Sequence, residues 1–325
     1  MQKLISSLDK GELHVHLNGL IPVETIRSIL INETVKVPQG FNLDKDLLRE
    51  SPMNCLEDYL KPWEVLRLIP NSRESLKIIM QSAFANLKQQ NIKFVEIRNS
   101  IIYLSFLNNI SVETALQWFL EEMEVASEKY EIKAGLILTI SRGDYCKENF
   151  HALIQAYENI GRPKLVVGLD LAGNEDIKVD DTTGSLFKSA KDEFGLGITI
   201  HAGETGCTQN IIKAIDLFGA DRIGHGTAAG LNKDVMKYIR ENDVCVEVCP
   251  ISNRLTGAVR DSDYHPVVEF VENDVPFVIC SDNPAIHNKT LNDDYFAFYA
   301  ETKRKDILES MLDRQSKYSF IKGLN

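Results

Sequence analysis

Eight short apolar runs, spread along the whole chain and separated by longer amphipathic stretches, constrain this sequence more than any other feature. They are LHVHL (13–17), KFVEIRN (93–99), AGLILTIS (134–141), LVVGLDLAG (165–173), GITIHAG (197–203), DRIGHG (221–226), VCVEVCP (244–250) and FVICSD (277–282). Each has the length of a strand, and most are apolar nearly throughout, as strands of a parallel sheet covered by helices on its faces must be. Between them lie helical patterns such as 72–91, 111–130 and 232–243. The first is predicted to start at Ser72, with Glu74 three residues after Asn71 as a capping signal. Alternation of strand and helix gives an α/β class, and eight strands fit a single (β/α)8 TIM barrel better than an open doubly wound sheet. Residues 20–70 are expected to form helices over the C-terminal mouth, and the tail after Tyr295 one or two closing helices. No linker or low-complexity tract divides the sequence, so residues 1–325 read as one domain.

Several functions are disfavoured at this level. No G-x-G-x-x-G or P-loop follows any strand, which removes the main support for a dinucleotide or nucleoside-triphosphate reading. A formal net charge of −11 leaves nothing to neutralise phosphates at scale, which argues against a general nucleic-acid or anionic-membrane binder. No segment has the apolar length of a signal peptide or a membrane span, and six scattered cysteines without a CxxC pair read as reduced thiols. A cytoplasmic protein is therefore expected. Cys245 and Cys249 sit in an apolar run and read as buried strand cysteines rather than a metal clip.

In a barrel of this kind, chemistry belongs at the C-terminal ends of the strands. The polar residues found there are His14 and His16, Asp170, His201 with Glu204, His225, and Asp282 with Asn283. His14 and His16 point to one side of their strand because side chains alternate. Three histidines and one carboxylate suit Zn²⁺ while leaving a position for water. His14, His16, His201 and Asp282 are the candidate ligands of one zinc ion. The metal acidifies that water, Asp282 is placed to take its proton, and His225 to stabilise the developing negative charge. Glu204, in a closed pocket that raises its pKa, is the candidate proton donor to substrate. Each residue alone has a plainer explanation: His201 bonded to backbone, His225 serving a turn, Glu204 complementing a helix dipole, Asp282 in an Asx-turn, Asp170 bracing a helix. Together those explanations require independent accidents at five strand ends. His151, His265 and His287 have no comparable setting and read as structural or surface residues.

ELHVHLNG, GLDLAGNE, HAGET, RIGHG, VCPISN and SDNPAIHNKTLNDDY, in that order from Glu12 to Tyr295, resemble the adenosine deaminase family of the amidohydrolase superfamily. HxH alone is a weak signal; HxH, HAGE, GHG and SD at these separations are a strong one. The resemblance implies that Glu204 protonates the purine ring nitrogen N1 while a metal-activated water attacks C6. His225 assists that water, and loss of ammonia follows. It also implies that Gly173 offers its backbone N–H to the purine and that His16, Asn18 and Asn283 face the substrate.

Two residues depart from the usual pattern. Asn18 stands where most members have an aspartate near the ribose 5′-hydroxyl, and Asn283 where many have a second aspartate contacting N7. A neutral amide at 18 can donate to a 5′-phosphate that an acid would repel. The reading is thus deamination of adenosine or 2′-deoxyadenosine, with a 5′-phosphorylated or N6-substituted adenine nucleotide as the alternative and Lys61, Arg67 and Arg73 as possible phosphate partners. Retention of Glu204 argues against a silent purine binder, which needs no proton donor. The lack of bridging carboxylates or a lysine argues against a multi-metal phosphoesterase.

Overall fold

The computed structural model describes residues 1–324. Eight parallel strands are hydrogen-bonded in sequence order: β1 (Lys10–His16), β2 (Ile92–Asn99), β3 (Lys133–Ser141), β4 (Val166–Ala172), β5 (Gly197–Ala202), β6 (Arg222–His225), β7 (Cys245–Val248) and β8 (Phe277–Ile279). The sheet curls round until the chain just beyond β8 meets β1, where Val15 pairs in parallel with Asp282. There the His16 N–H donates to the Asp282 carbonyl at 3.1 Å and the Asp282 N–H to the His14 carbonyl at 2.9 Å. The closing seam of the barrel therefore runs through three of the residues singled out for chemistry.

The last two strands are shorter than their apolar runs, for local reasons. Pro250 ends the β7 run by opening the helix Pro250–Leu255 at its first position, where a missing N–H costs nothing. After β8 the chain turns at Asp282 into the left-handed region, with φ +60°. His225, at the end of β6, does the same with φ +65°. Such conformations cost a non-glycine residue about 1–3 kcal/mol and cluster where a site demands them.

The outer helices follow the expected periodicity. Arg73–Gln89 buries Leu76, Ile79, Met80, Ala83, Phe84 and Leu87, spaced three and four apart, against the sheet. Fully burying each of the larger side chains contributes about 1.5–3 kcal/mol. Its N-terminus is closed by a capping box between Ser72 and Ser75, not by the Asn71–Glu74 pair suggested above. Over the mouth, residues 20–70 contain only three helices, Val23–Asn32, Leu56–Tyr59 and Trp63–Leu66, and much of the segment between them is irregular.

Directly beneath the mouth, the barrel interior is filled by charge instead of branched aliphatics. Arg222 Nε donates to Glu247 at 2.6 Å and its Nη2 to Glu96 at 2.6 Å, while Arg98 bonds Glu247 and lies 3.4 Å from Asp170. After the final helix, Met311–Tyr318, the chain caps this network: the Tyr318 carbonyl accepts from Arg222, and the Phe320 ring lies 3.7 Å from the guanidinium. Buried arginines are tolerated here because each is paired on more than one side.

Candidate active site

The polar strand ends converge on one cavity of about 420 Å³ at the C-terminal mouth. His16, Asn18, Gly173, His201, Glu204, His225, Asp282 and Asn283 all line it. His14 lies directly beneath, fully buried. The imidazoles of His14 and His201 are 4.7 Å apart between centroids, those of His14 and His225 4.9 Å, and those of His16 and His201 5.5 Å. Donor atoms of His14, His201 and His225 lie within 4.8 Å of one another, as do those of His14, His16 and Asp282. This packing requires Gly224 in β6, since a Cβ there would stand 2.9 Å from His14 Cε1.

The chemistry of these donors fits a cation. His14 Nε2 is buried without a hydrogen-bond partner, 3.5 Å from Asp282 Oδ1, and His16 Nε2 is 3.4 Å from the same oxygen. Burial lowers the pKa of His16 to about 3 and that of His201 to about 4, so both rings present neutral lone pairs. Burial alone would raise the pKa of Asp282, but His14 foremost, with His225 and His16, holds it well below the ordinary carboxylate range. An orphaned nitrogen on His14, shared by both groups, with two neutral imidazoles and an ionised carboxylate around it, is a donor set suited to a divalent ion.

Each inner histidine is braced from behind by a carboxylate. His14 Nδ1 is 2.7 Å from Glu247 Oε2, and His201 Nδ1 is 2.9 Å from Asp170 Oδ1. A carboxylate there forces the proton onto Nδ1 and leaves Nε2 free toward the cavity. Asp170 thus has a definite task beyond bracing a helix, and Glu247 joins it. Asp282 is fixed by the Ser252 hydroxyl, which donates to Oδ2 at 2.7 Å.

Glu204 is buried beside this cluster, with Oε1 3.9 Å from His225 Nε2. Burial raises its pKa, and the negative charges of Asp282 and Glu175 add to the effect, with His225 opposing. The loop that carries it is held by Glu175, whose carboxylate accepts from the N–H groups of Gly203, Glu204 and Thr205 and from Asn210 Nδ2, at 2.6–3.0 Å. Gly173 turns into the cavity with φ +94°, a conformation that favours glycine.

The structure corrects the sequence reading at several points. One Asn18 N–H donates to the Leu66 carbonyl at 2.8 Å, and its Oδ1 is buried without a partner. Lys61 is paired with Asp46 at 3.0 Å and Arg73 with Glu121 and Glu122, so of the three cations suggested for phosphate only Arg67 lines the cavity. His287 is no bystander: its Nε2 is 2.7 Å from the hydroxyl of Tyr59, which also accepts from Asn283 Nδ2 at 3.1 Å. Nor is His265, which is buried 3.2 Å from Asn253, the residue behind His225. Tyr59, Ser252, Glu175, Glu247 and Asn253 were not singled out from sequence.

A closed parallel barrel with this cluster at its C-terminal mouth defines a hydrolase of the amidohydrolase class. The sequence pattern of the adenosine deaminase family matches residues 9–313. An adenosine deaminase from Clostridium botulinum is 32% identical over 288 residues, covering 87% of this chain and 85% of that protein. The chain belongs to the adenosine deaminase family. Two solved structures share its fold. A zinc-bound amidohydrolase from Burkholderia ambifaria is 19% identical, with a TM-score of 0.85 over 98% of this chain and 87% of that one. The N6-methyl-AMP deaminase of Arabidopsis thaliana is 22% identical, with a TM-score of 0.82 over 98% and 94%.

Proposed function

We propose that this chain, as one deaminase domain, removes the 6-amino group of adenosine or 2′-deoxyadenosine hydrolytically, giving inosine or 2′-deoxyinosine and ammonia. In this reading His14, His16, His201 and Asp282 hold one Zn²⁺, which when bound supplies an acidified water as nucleophile. Glu204, whose protonated form burial favours, delivers its proton to ring nitrogen N1 and makes C6 electrophilic. Asp282 accepts the proton released by the attacking water. His225, whose Nε2 faces the same space, stabilises the charge that grows on that oxygen. Gly173, with its N–H, and Asn283, with its second amide proton, orient the purine.

Asn18 carries the choice of nucleoside over nucleotide. With one of its amide protons committed to Leu66, its buried and unpartnered atom is an acceptor. That acceptor matches the 5′-hydroxyl of a nucleoside, and only one amide proton is left to offer a phosphate oxygen. The alternative, an adenine nucleotide or an N6-substituted one, rests on Arg67 in the cavity lining and on the likeness to the plant N6-methyl-AMP deaminase. A single assay series on adenosine, 2′-deoxyadenosine, AMP, dAMP, dATP and N6-methyl-AMP separates the two. A kcat/KM highest for the unphosphorylated nucleosides supports the proposal, and a preference for any phosphorylated substrate overturns it.

A further inference from the structure

His225 and His265 stand on opposite sides of one carboxamide. Asn253, on the helix Pro250–Leu255, puts one end of its amide 2.9 Å from His225 Nδ1 and the other 3.2 Å from His265 Nε2. All three side chains are buried, so no solvent completes their hydrogen bonds. The chain of contacts has a fixed end: the backbone N–H of Val267 points at His265 Nδ1 at 3.1 Å. A backbone amide can only donate, so Nδ1 of His265 must accept. A neutral imidazole has one lone pair and one N–H, and His265 therefore carries its proton on Nε2.

That proton must meet an oxygen. With Asn253 Oδ1 toward His225 and Nδ2 toward His265, two N–H groups would face each other. Half a turn of the carboxamide exchanges its oxygen and nitrogen without moving anything else and removes the conflict. The Asn253 oxygen then accepts from His265, and its NH₂ faces His225 Nδ1. His225 must accept there, and its own proton resides on Nε2, the nitrogen that faces Glu204 and the cavity. Protonating His265 does not offer a way out, because an imidazolium would oppose the Val267 N–H. Burial first, and Arg254 second, lower its pKa to about 3.

Resting on the deaminase reading for the identity of the reacting oxygen, we propose that Asn253 and His265 are positioning residues that fix the tautomer of His225, so that His225 meets the attacking oxygen as an Nε2–H donor and not as a proton acceptor. The base is then Asp282, and the two roles are separated by hydrogen-bond geometry laid down outside the cavity.

The tautomer is read directly by ¹⁵N NMR of histidine-labelled, zinc-replete protein, with the His225 signals assigned by their loss in His225→Gln. The expected result is an unprotonated, pyridine-type Nδ1 and a protonated Nε2 for His225. A protonated Nδ1 on neutral His225 overturns the proposal, whatever the substrate proves to be. Kinetics supply the second arm. Asn253→Asp is nearly isosteric but can only accept, so it drives the proton of His225 onto Nδ1. It is expected to lower kcat on the order of 10²-fold with little change in KM, and to do more damage than Asn253→Ala. A purely structural role for Asn253 reverses that order, since the truncation leaves a cavity and the aspartate does not. An Asn253→Asp variant that turns over like the parent while its neutral His225 carries the proton on Nδ1 and none on Nε2 also overturns the proposal.

Discussion

Replacing Asp170 by asparagine isolates the contribution of a carboxylate behind a metal-ligating histidine. Asp170 Oδ1 accepts from His201 Nδ1 at 2.9 Å and lies 3.4 Å from Arg98 Nη1, while Oδ2 accepts from the Thr139 hydroxyl at 3.5 Å. The amide keeps the shape, and its oxygen can stay on His201, because the Thr139 hydroxyl can turn to accept from the new NH₂. Arg98 keeps its bond to Glu247, so the buried cation is not orphaned and the fold survives. What changes is the bond to His201, from charge-assisted to neutral, roughly halving its strength. With neutral hydrogen bonds contributing about 1 kcal/mol and charged ones about 2–2.5, the difference is about 1–1.5 kcal/mol. At about 1.4 kcal/mol per decade, zinc affinity should fall about tenfold, toward the lower end of losses seen for such outer partners. Competition against a chromophoric chelator measures this, with thermal unfolding of the zinc-free protein as the control for the fold. An affinity within twofold of the parent, in a folded variant, would refute the bracing role of Asp170.

Glu204→Gln should retain zinc and lower kcat by about 10²–10⁴-fold, since the amide cannot protonate N1; ammonia release and bound-metal content check it together. The pH dependence follows from the raised pKa of Glu204, which burial dominates. An acid works while protonated, so activity is retained below that raised pKa and lost as pH climbs through it. A kcat/KM that increases along that limb would make Glu204 a base. Asn18→Asp restores an acidic acceptor where Oδ1 now lies unpartnered, and should reduce activity on AMP more than on adenosine. Glu175→Ala removes the acceptor for three successive N–H groups, and should lower kcat at least tenfold by loosening the Glu204 loop, with accelerated amide exchange at 203–205 as the structural readout.

The part of this molecule that could be read from sequence is the part written in short range. Strand-length apolar runs announced eight strands, and each polar residue that ended a run, from His14 to Asp282, does lie in or beneath one cavity. The supports were not visible because they act across the barrel. Glu247 is 233 residues from His14, and Tyr59 is 228 from His287. Some signal was present nonetheless. Glu247 is a lone carboxylate inside VCVEVCP, and Arg98 and Arg222 are cations inside strand runs. Charges in strands that must be buried on both faces need partners, and those partners are one another. His265 and His287 carried no such mark: HP and IHN look like surface turns, and only the packing of Pro250–Leu255 and of Tyr59 reveals their connection to the site.

The measurement that bears most directly on the whole account is ammonia release from adenosine by protein stripped with a chelator and reloaded with Zn²⁺. No turnover is expected from the stripped protein, with restoration near one zinc per chain and inosine as the product. Full activity without metal, or a zinc-replete protein that releases no ammonia from adenosine or any other adenine compound, would contradict it.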